Sequence, residues 1–401
     1  MALLRKFGLK AIYYDAGGTD PAEQTFGPKQ ARKHGLIVYS PGFNLEHPWL
    51  CIARAAGCIC LSELDLAALS WPHSIIGITG TNGKTTLTEF LAAALRRKGL
   101  SATAVGNNGV PFSMLVQQQQ ATGIAVCEIS SFQAESVKHL RLDALLWTHF
   151  SEDHLDRHRD LHSYFAAKWR LLGCLRQRQF FLGPSVAEAA QRYGFALPDY
   201  AVVVDEQAGN AGTFIHDTVF ARPPQRANGL IAHAYWRSRG LDEQAFCQAA
   251  RGFSLPRHRL ALTTTIGGIA FWNDSKATNF SATLAALESF ASPVLWIGGG
   301  KAKGGDLKAF LCALAAKIKM AFLFGATAPQ LAEQLELAGR QAWAFPSLTA
   351  AVQAAFRQAE PQEAVLFSPG FASQDGFCNY AERGEFFEKA VLDLKKSAIR
   401  L

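Results

Sequence analysis

The chain has 401 residues, long for one hydrophobic core, so two or three domains are expected. Hydrophobic residues make up 49% and charged residues 18%, an ordinary globular balance with ample material for buried sheets. The net charge of +7 favours anionic partners, yet it is spread along the chain with no arginine-rich run and no aromatic–basic interleaving, which argues against nucleic acid.

Short apolar runs alternate with helical stretches, the pattern of a parallel α/β sheet. In chain order the predicted strands are Lys10–Tyr14, Leu36–Tyr39, Ser74–Thr79, Ile124–Glu128, Ala144–Thr148, Val294–Ile297, Met320–Phe324 and Ala364–Phe367. Breaks at Ser70-Trp71-Pro72 and Leu255-Pro256-Arg257 suggest domains over residues 1–70, 71–256 and 257–401. The eight cysteines include Cys58-x-Cys60 but no second pair at zinc-ribbon spacing, so reduced thiols are expected. No secretory leader and no apolar run of membrane-spanning length is visible, which points to the cytoplasm and away from a membrane.

The most informative stretch is Gly77-Ile78-Thr79-Gly80-Thr81-Asn82-Gly83-Lys84-Thr85-Thr86, which follows a strand and opens a helix. That helix, predicted over 85–98, puts Leu87, Phe90, Leu91, Ala94 and Leu95 on one face and stops at Gly99. Glycines let backbone N–H groups turn toward phosphate oxygens, and the helix N-terminus adds partial positive charge. Lys84 can reach the β- and γ-phosphates, and the Thr85 hydroxyl suits Mg²⁺. The strict phosphate-loop pattern has Gly where Ile78 stands, so this is a variant. The motif predicts nucleotide binding through Gly80, Thr81, Asn82, Gly83, Lys84, Thr85 and Thr86, and is silent on the fate of the phosphate.

Other segments carry polar residues at or just after strand ends. Glu128-Ile129-Ser130-Ser131-Phe132-Gln133 places a carboxylate at a strand's carboxyl end, well placed for Mg²⁺, although Glu128 alone reads as an N-cap or surface acid. Ser151-Glu152-Asp153-His154-Leu155-Asp156-Arg157-His158 packs three acids and two histidines into eight residues, which a plain polar loop could also do. Further on stand Ala166-Ala167-Lys168, Leu255-Pro256-Arg257-His258-Arg259, Asn273-Asp274-Ser275-Lys276-Ala277-Thr278-Asn279, Gly299-Gly300-Lys301-Ala302-Lys303-Gly304-Gly305-Asp306, and Ser368–Phe377.

These segments, in this order and with a GTNGKTT loop, resemble the Mur ligase family over almost the whole chain from about Tyr39. The resemblance implies three domains: a central phosphate-loop domain with a parallel sheet, a Rossmann-like carboxy-terminal domain, and a truncated Rossmann-like amino-terminal domain. It implies ATP and Mg²⁺ as cofactors, and amide formation through an acyl phosphate. The substrates would be UDP-N-acetylmuramoyl-L-alanine and glutamate, on a monomer. Glu128 and His154 would ligate metal, and Lys168 would do so once carbamylated; taken alone, Lys168 reads as a helix-surface lysine. Asn228 would contact adenine, Arg259 the γ-phosphate, Asp274 the nucleotide and Lys276 the transferring phosphate. Asn107, Ser130 and Gln133 would face the muramoyl substrate. Thr278, Lys303, Ser373 and Tyr380 would form the glutamate pocket, where a lysine and a serine suit a dicarboxylic amino acid.

The sequence also departs from the family's pattern. Ile231 replaces a second asparagine near Asn228, and Ala261 replaces the acid after Arg259. The chain opens about thirty residues later than a βαβ opening would, entering near a strand over Ala11–Tyr14. Asp15 keeps the acid expected near uracil, but Ala16-Gly17 replaces Thr-Arg. A Mur-type ligase with another carboxylate substrate, and a nucleotide-binding homologue without turnover, are therefore alternatives. A plain phosphohydrolase would leave the Asn273–Asn279 and Ser368–Phe377 segments without a job.

Overall fold

A computed structural model of the chain describes residues 2–15, 25–118, 123–205 and 213–398; Ala16-Gly17 and Gln119-Gln120 lie outside them. The chain gathers into two compact units. The first comprises Met1–Phe150, His162–Phe214 and Ala227–Phe253; the second comprises Ser151–Leu161, Ile215–Arg226 and Ser254–Leu401.

The first unit carries a small parallel pair, β1 (Leu36–Tyr39) and β2 (Ile59–Ser62). It also holds β3 (Ser74–Thr79), β4 (Ala102–Gly106), β5 (Ile124–Glu128), β6 (Ala144–Trp147), β7 (Phe180–Leu182) and β8 (Ala201–Val203). These six form one all-parallel sheet in the order β4-β5-β3-β6-β7-β8. The chain leaves β3 for β4 and β5 on one side, then crosses to β6 on the other. The carboxyl ends of β3 and its neighbours therefore border a topological switch point, where open α/β sheets leave a crevice. The strands β6 and β7 are buried along their whole length, as a sheet covered on both faces requires.

Helix Lys84–Arg97 follows β3. Its buried stripe includes Leu87, Phe90, Leu91, Ala94 and Leu95, and the chain turns out at Gly99 with φ +86°. The stripe is the predicted one because the apolar spacing follows the 3.6-residue period.

The predicted strand Lys10–Tyr14, and with it an entry into the fold at a strand over Ala11–Tyr14, is not formed. Residues 10–13 carry no regular structure, and Tyr14 alone makes a bridge. Tyr14 instead packs edge-on against Phe26 and hydrogen-bonds His34 Nε2 at 2.9 Å. Its neighbours Ile12 and Tyr13 are exposed by 40% and 48%, so the segment buries too little apolar surface to hold a strand in place.

Asp65, in helix Glu63–Leu69, fastens the amino-terminal segment to the large sheet's connections. Its buried carboxylate accepts the backbone N–H groups of Lys138, His139 and Leu140 at 2.9–3.1 Å.

The second unit holds β9 (Ala261–Ile266), β10 (Ile269–Asn273), β11 (Val294–Gly298), β12 (Ile318–Leu323), β13 (Gln341–Ala344) and β14 (Ala364–Phe367). The order is β13-β12-β11-β14-β10-β9, parallel except for the antiparallel β9–β10 hairpin. The two-residue turn Gly267-Gly268, both at positive φ, folds β9 back on β10. Two apolar clusters cover the faces of this sheet, one around Phe271, Phe367 and Phe387, the other around Trp296, Phe310 and Leu331. Among the described residues no helix is long and apolar enough to cross a membrane.

Replacing Asp65 with Ala strands three backbone donors beside a buried hole. Unfolding in urea should show a loss of roughly 2–4 kcal/mol. A change below about 0.5 kcal/mol, within the range of ordinary surface substitutions, would show that the carboxylate is not a fastening point.

Candidate active site

In the first unit the predicted residues lie at the carboxyl ends of the adjacent strands β4, β5 and β3: Asn107 follows β4, Glu128 ends β5, and the loop Gly80–Gly83 leaves β3. Thr148-His149, not among the predicted site residues, stand at the end of β6 beside them.

The loop's backbone is held by its carbonyls. The Gly80 carbonyl accepts from Lys84 Nζ and from Lys168 Nζ, each at 2.9 Å. The Thr81 carbonyl accepts from Lys84 Nζ at 2.7 Å, that of Asn82 from Thr148 Oγ1 at 2.5 Å, and that of Gly83 from Leu87 N–H at 3.0 Å. Thr81 N–H donates to the His149 carbonyl at 2.7 Å.

Glycine is required at both ends of the turn. Gly80 has φ +147° and a Cβ there would collide with the Thr148 hydroxyl; Gly83 has φ +84° and a Cβ there would collide with the Asn228 amide. The Thr86 hydroxyl is buried and, among the described residues, has no hydrogen-bond partner. A cradle of this shape, with cations and an orphaned hydroxyl at a helix N-terminus, fits a nucleotide polyphosphate.

Lys168 is 1% exposed and also lies within 3.5 Å of Thr79 Oγ1 and over the Tyr164 ring. The surface lysine expected from helical position alone is therefore a buried one. Asn107 Nδ2 donates to Glu128 Oε1 at 2.9 Å, which brings two predicted residues together. Ser130 and Gln133 are joined differently: they form the capping box of helix Ser131–Ser136, with Gln133 N–H donating to Ser130 Oγ and Ser130 N–H to Gln133 Oε1. Asp15 accepts the Tyr13 hydroxyl at 3.2 Å.

In the second unit the site residues again gather at carboxyl ends, here of β10, β11 and β14. A cavity is lined by Asp153, His154, Thr278, Asn279, Lys303 and Phe371, among others. Lys303 Nζ lies 3.6 Å from Asp153 Oδ1 and 3.5 Å from Thr278 Oγ1, while Asn279 Nδ2 donates to Asp153 Oδ2 at 2.8 Å. Burial pushes the Asp153 carboxyl up, but Lys303, His154 and the Asn279 amide outweigh it and hold it below the usual carboxylate range. His154 adopts φ +58° and lies 3.7 Å from Asp153. Ser373 is buried outside the cavity's lining, and the Tyr380 ring lies 3.9 Å from Lys276 Nζ.

Asp274 accepts from Ser368 Oγ at 2.8 Å and from Leu260 N–H at 3.0 Å. Burial drives its carboxyl up to about 7, against the pull of those two bonds and of Arg259 and Arg383. Arg259 sits between two left-handed non-glycine residues, His258 (φ +62°) and Leu260 (φ +47°), local strain of the kind that accumulates at ligand clamps.

Sequence reasoning passed over several members of this arrangement. Asp153 and Asn279 stood inside motifs already singled out. Arg383, fully buried, donates to Ser275 O, Ser275 Oγ and Phe371 O and so ties the Asn273–Asn279 loop to the Ser368–Phe377 loop. Nothing in its helical context distinguishes it.

Against known proteins, the Mur ligase middle domain matches residues 78–193 and the Mur ligase glutamate ligase domain residues 258–371. The UDP-N-acetylmuramoylalanine–D-glutamate ligase of Desulfitobacterium hafniense (strain Y51) is 34% identical over 89% of this chain and 83% of its own length. The chain belongs to the Mur ligase family. The Synechocystis ligase of the same name is 37% identical over 89% of the chain and 85% of its own. Solved folds of the family agree at low identity. MurF ligase from Thermotoga maritima in complex with ADP has a TM-score of 0.60 at 15% identity, covering 92% of this chain and 97% of that one. MurF from Acinetobacter baumannii has a TM-score of 0.61 at 15% identity, covering 98% of each. The α/β fold, with its parallel central sheet and mixed carboxy-terminal sheet, is that of the Mur ligase family.

Because the folded pKa of Asp274 lies above its ordinary value of 3.8, the folded chain holds a proton between 3.8 and about 7 that the unfolded chain has released. Its contribution favours folding at low pH and fades as pH rises through that window. Asp274→Asn should flatten the fall in stability across the window, measured by denaturant midpoints at several pH values. An unchanged slope would place the carboxyl's ionisation elsewhere.

Proposed function

We propose that the chain joins D-glutamate to UDP-N-acetylmuramoyl-L-alanine in an ATP-dependent reaction through an acyl phosphate, a step of peptidoglycan precursor synthesis. The observation that carries this reading is the combination of a built phosphate cradle with 34–37% identity, over nearly nine-tenths of the chain, to ligases of that name.

The proposed sequence of events is as follows. The γ-phosphate of ATP lies against the Gly80–Thr86 turn, and Lys84 leaves the Gly80 and Thr81 carbonyls to follow the charge on the transferring phosphoryl group. Asn228, Arg259 and Asp274 hold the nucleotide, and Lys276 neutralises the phosphoryl oxygens. The muramoyl-alanine carboxylate takes the phosphoryl group with loss of ADP. The glutamate amine then attacks the acyl carbon through a tetrahedral intermediate, and inorganic phosphate leaves. Thr278 and Lys303 position glutamate, with Ser373 and Tyr380 behind them. Asp15, Asn107, Ser130 and Gln133 hold the muramoyl nucleotide.

Mg²⁺ would be held by Glu128 and the Thr85 hydroxyl, with His154 and a carbamylated Lys168, and when bound it would neutralise charge on the phosphoryl oxygens. The donor chemistry fits: Glu128 is a buried carboxylate whose Oε1 accepts from Asn107, a hard oxygen ligand of the kind Mg²⁺ prefers. The proposed domain limits are residues 1–70, 71–256 and 257–401, and the proposed state is a cytoplasmic monomer.

Phosphate release from ATP should require the muramoyl-alanine nucleotide and D-glutamate together. Release that ignores both would contradict ligation; release that needs glutamate with a different carboxylate would replace the substrate. Lys303→Ala should raise the KM for glutamate about tenfold or more, as loss of a charge-assisted bond does, with the KM for ATP unchanged within about twofold. Equal changes in both would mean that Lys303 does not face glutamate.

A further inference from the structure

The residue after β6 and Thr148 is a histidine that no motif above uses. His149 is built into the phosphate loop's seat: its carbonyl takes Thr81 N–H at 2.7 Å, and a Cβ on Gly80 would meet both its N and its O at 3.2 Å. Its ring nitrogen Nδ1 is sealed from solvent and, among the described residues, has no hydrogen-bond partner. A buried polar atom left without a partner costs about 1–3 kcal/mol. Such an atom calls for an explanation, and here the ring feels the charge of Lys84, the cation of the phosphate loop, which makes a ligand in that loop the natural partner.

The chemistry of that partner follows from the site. A polyphosphate brings acceptors only, so the orphaned nitrogen has to be the donor, in the tautomer that carries hydrogen on Nδ1. Burial first, and the neighbouring Lys84 ammonium second, push the His149 imidazole down to about 4, so at neutral pH the ring is uncharged. An uncharged ring adds a directed N–H without adding a second repelling cation next to Lys84.

We propose that His149 is a nucleotide-binding residue, whose Nδ1–H donates to a polyphosphate oxygen held in the Gly80–Lys84 turn. This rests on the reading of that turn as a nucleotide site and adds to it a side chain that belongs to neither the loop nor its helix.

Calorimetric titration of the full chain with ATP, inorganic tripolyphosphate and adenosine separates the possibilities. His149→Ala should weaken ATP and tripolyphosphate about tenfold, the cost of one hydrogen bond to a charged group, and leave adenosine unchanged. His149→Asn, whose amide can set an N–H where Nδ1 stood, should restore affinity to within about threefold of wild type. His149→Leu replaces the alanine variant if that one fails to fold, with the same loss expected. Wild type that binds ATP beside an unaffected His149→Ala would overturn this proposal alone. Equal loss in the alanine and asparagine variants would also overturn it, since the ring would then be acting through packing. Wild type that binds no ATP would remove the nucleotide reading and this one with it.

Discussion

Between β3 and its helix, a four-residue turn presents its carbonyls to donors on every side. Lys84, Lys168, Thr148 and the helix's own Leu87 N–H engage all four. With its C=O groups held in this way the turn keeps one shape, and Lys84 on the Gly80 and Thr81 carbonyls sets a positive charge at the mouth of the cradle. That arrangement depends on the sheet. Thr148, His149 and Lys168 reach the turn only because β6 lies beside β3 and the following connection returns a helix over it. The close approach is also why Gly80 and Gly83 admit no side chain.

The second unit uses the same geometry for a different task. Its site loops leave the carboxyl ends of β10, β11 and β14, and a buried guanidinium, Arg383, binds two of them to each other. Burying that charge pushes its pKa down to about 10, opposed by Asp375 and Asp274. Removing a buried arginine that satisfies three acceptors costs more than the bonds themselves, because the acceptors are left dry. The cavity beside these loops sets a cation, Lys303, against an acid, Asp153, that accepts from Asn279. In the proposed reaction, a dicarboxylic amino acid would replace Asp153 as the partner of Lys303.

Much of this was legible in the sequence where a residue's role is local. The strands β3, β5 and β14 read at their observed limits because they are short continuous apolar runs bounded by polar turns. Gly80 to Thr86 read as a phosphate loop because the motif is contiguous. What failed was non-local. Lys10–Tyr14 has strand-like composition but forms only the single bridge at Tyr14, whereas β8 and β13 are largely exposed and carry weak patterns, yet pair because a neighbour offers an edge. The Ser130–Gln133 spacing is that of a capping box, and the helix uses it so; the resemblance alone directed attention to a substrate. The burial of Lys168, Arg383 and His149 Nδ1 cannot be read from neighbours in the chain, because distant strands and loops create it.

The central claim is that the phosphate cradle serves to activate a carboxylate rather than water. It is tested most directly by labelling the alanine carboxylate of UDP-N-acetylmuramoyl-L-alanine with ¹⁸O and following the label during turnover with ATP and D-glutamate. The account predicts that the inorganic phosphate released carries one ¹⁸O atom, transferred when the acyl phosphate breaks at the carbonyl carbon. Phosphate free of label, with amide product still formed, would contradict it.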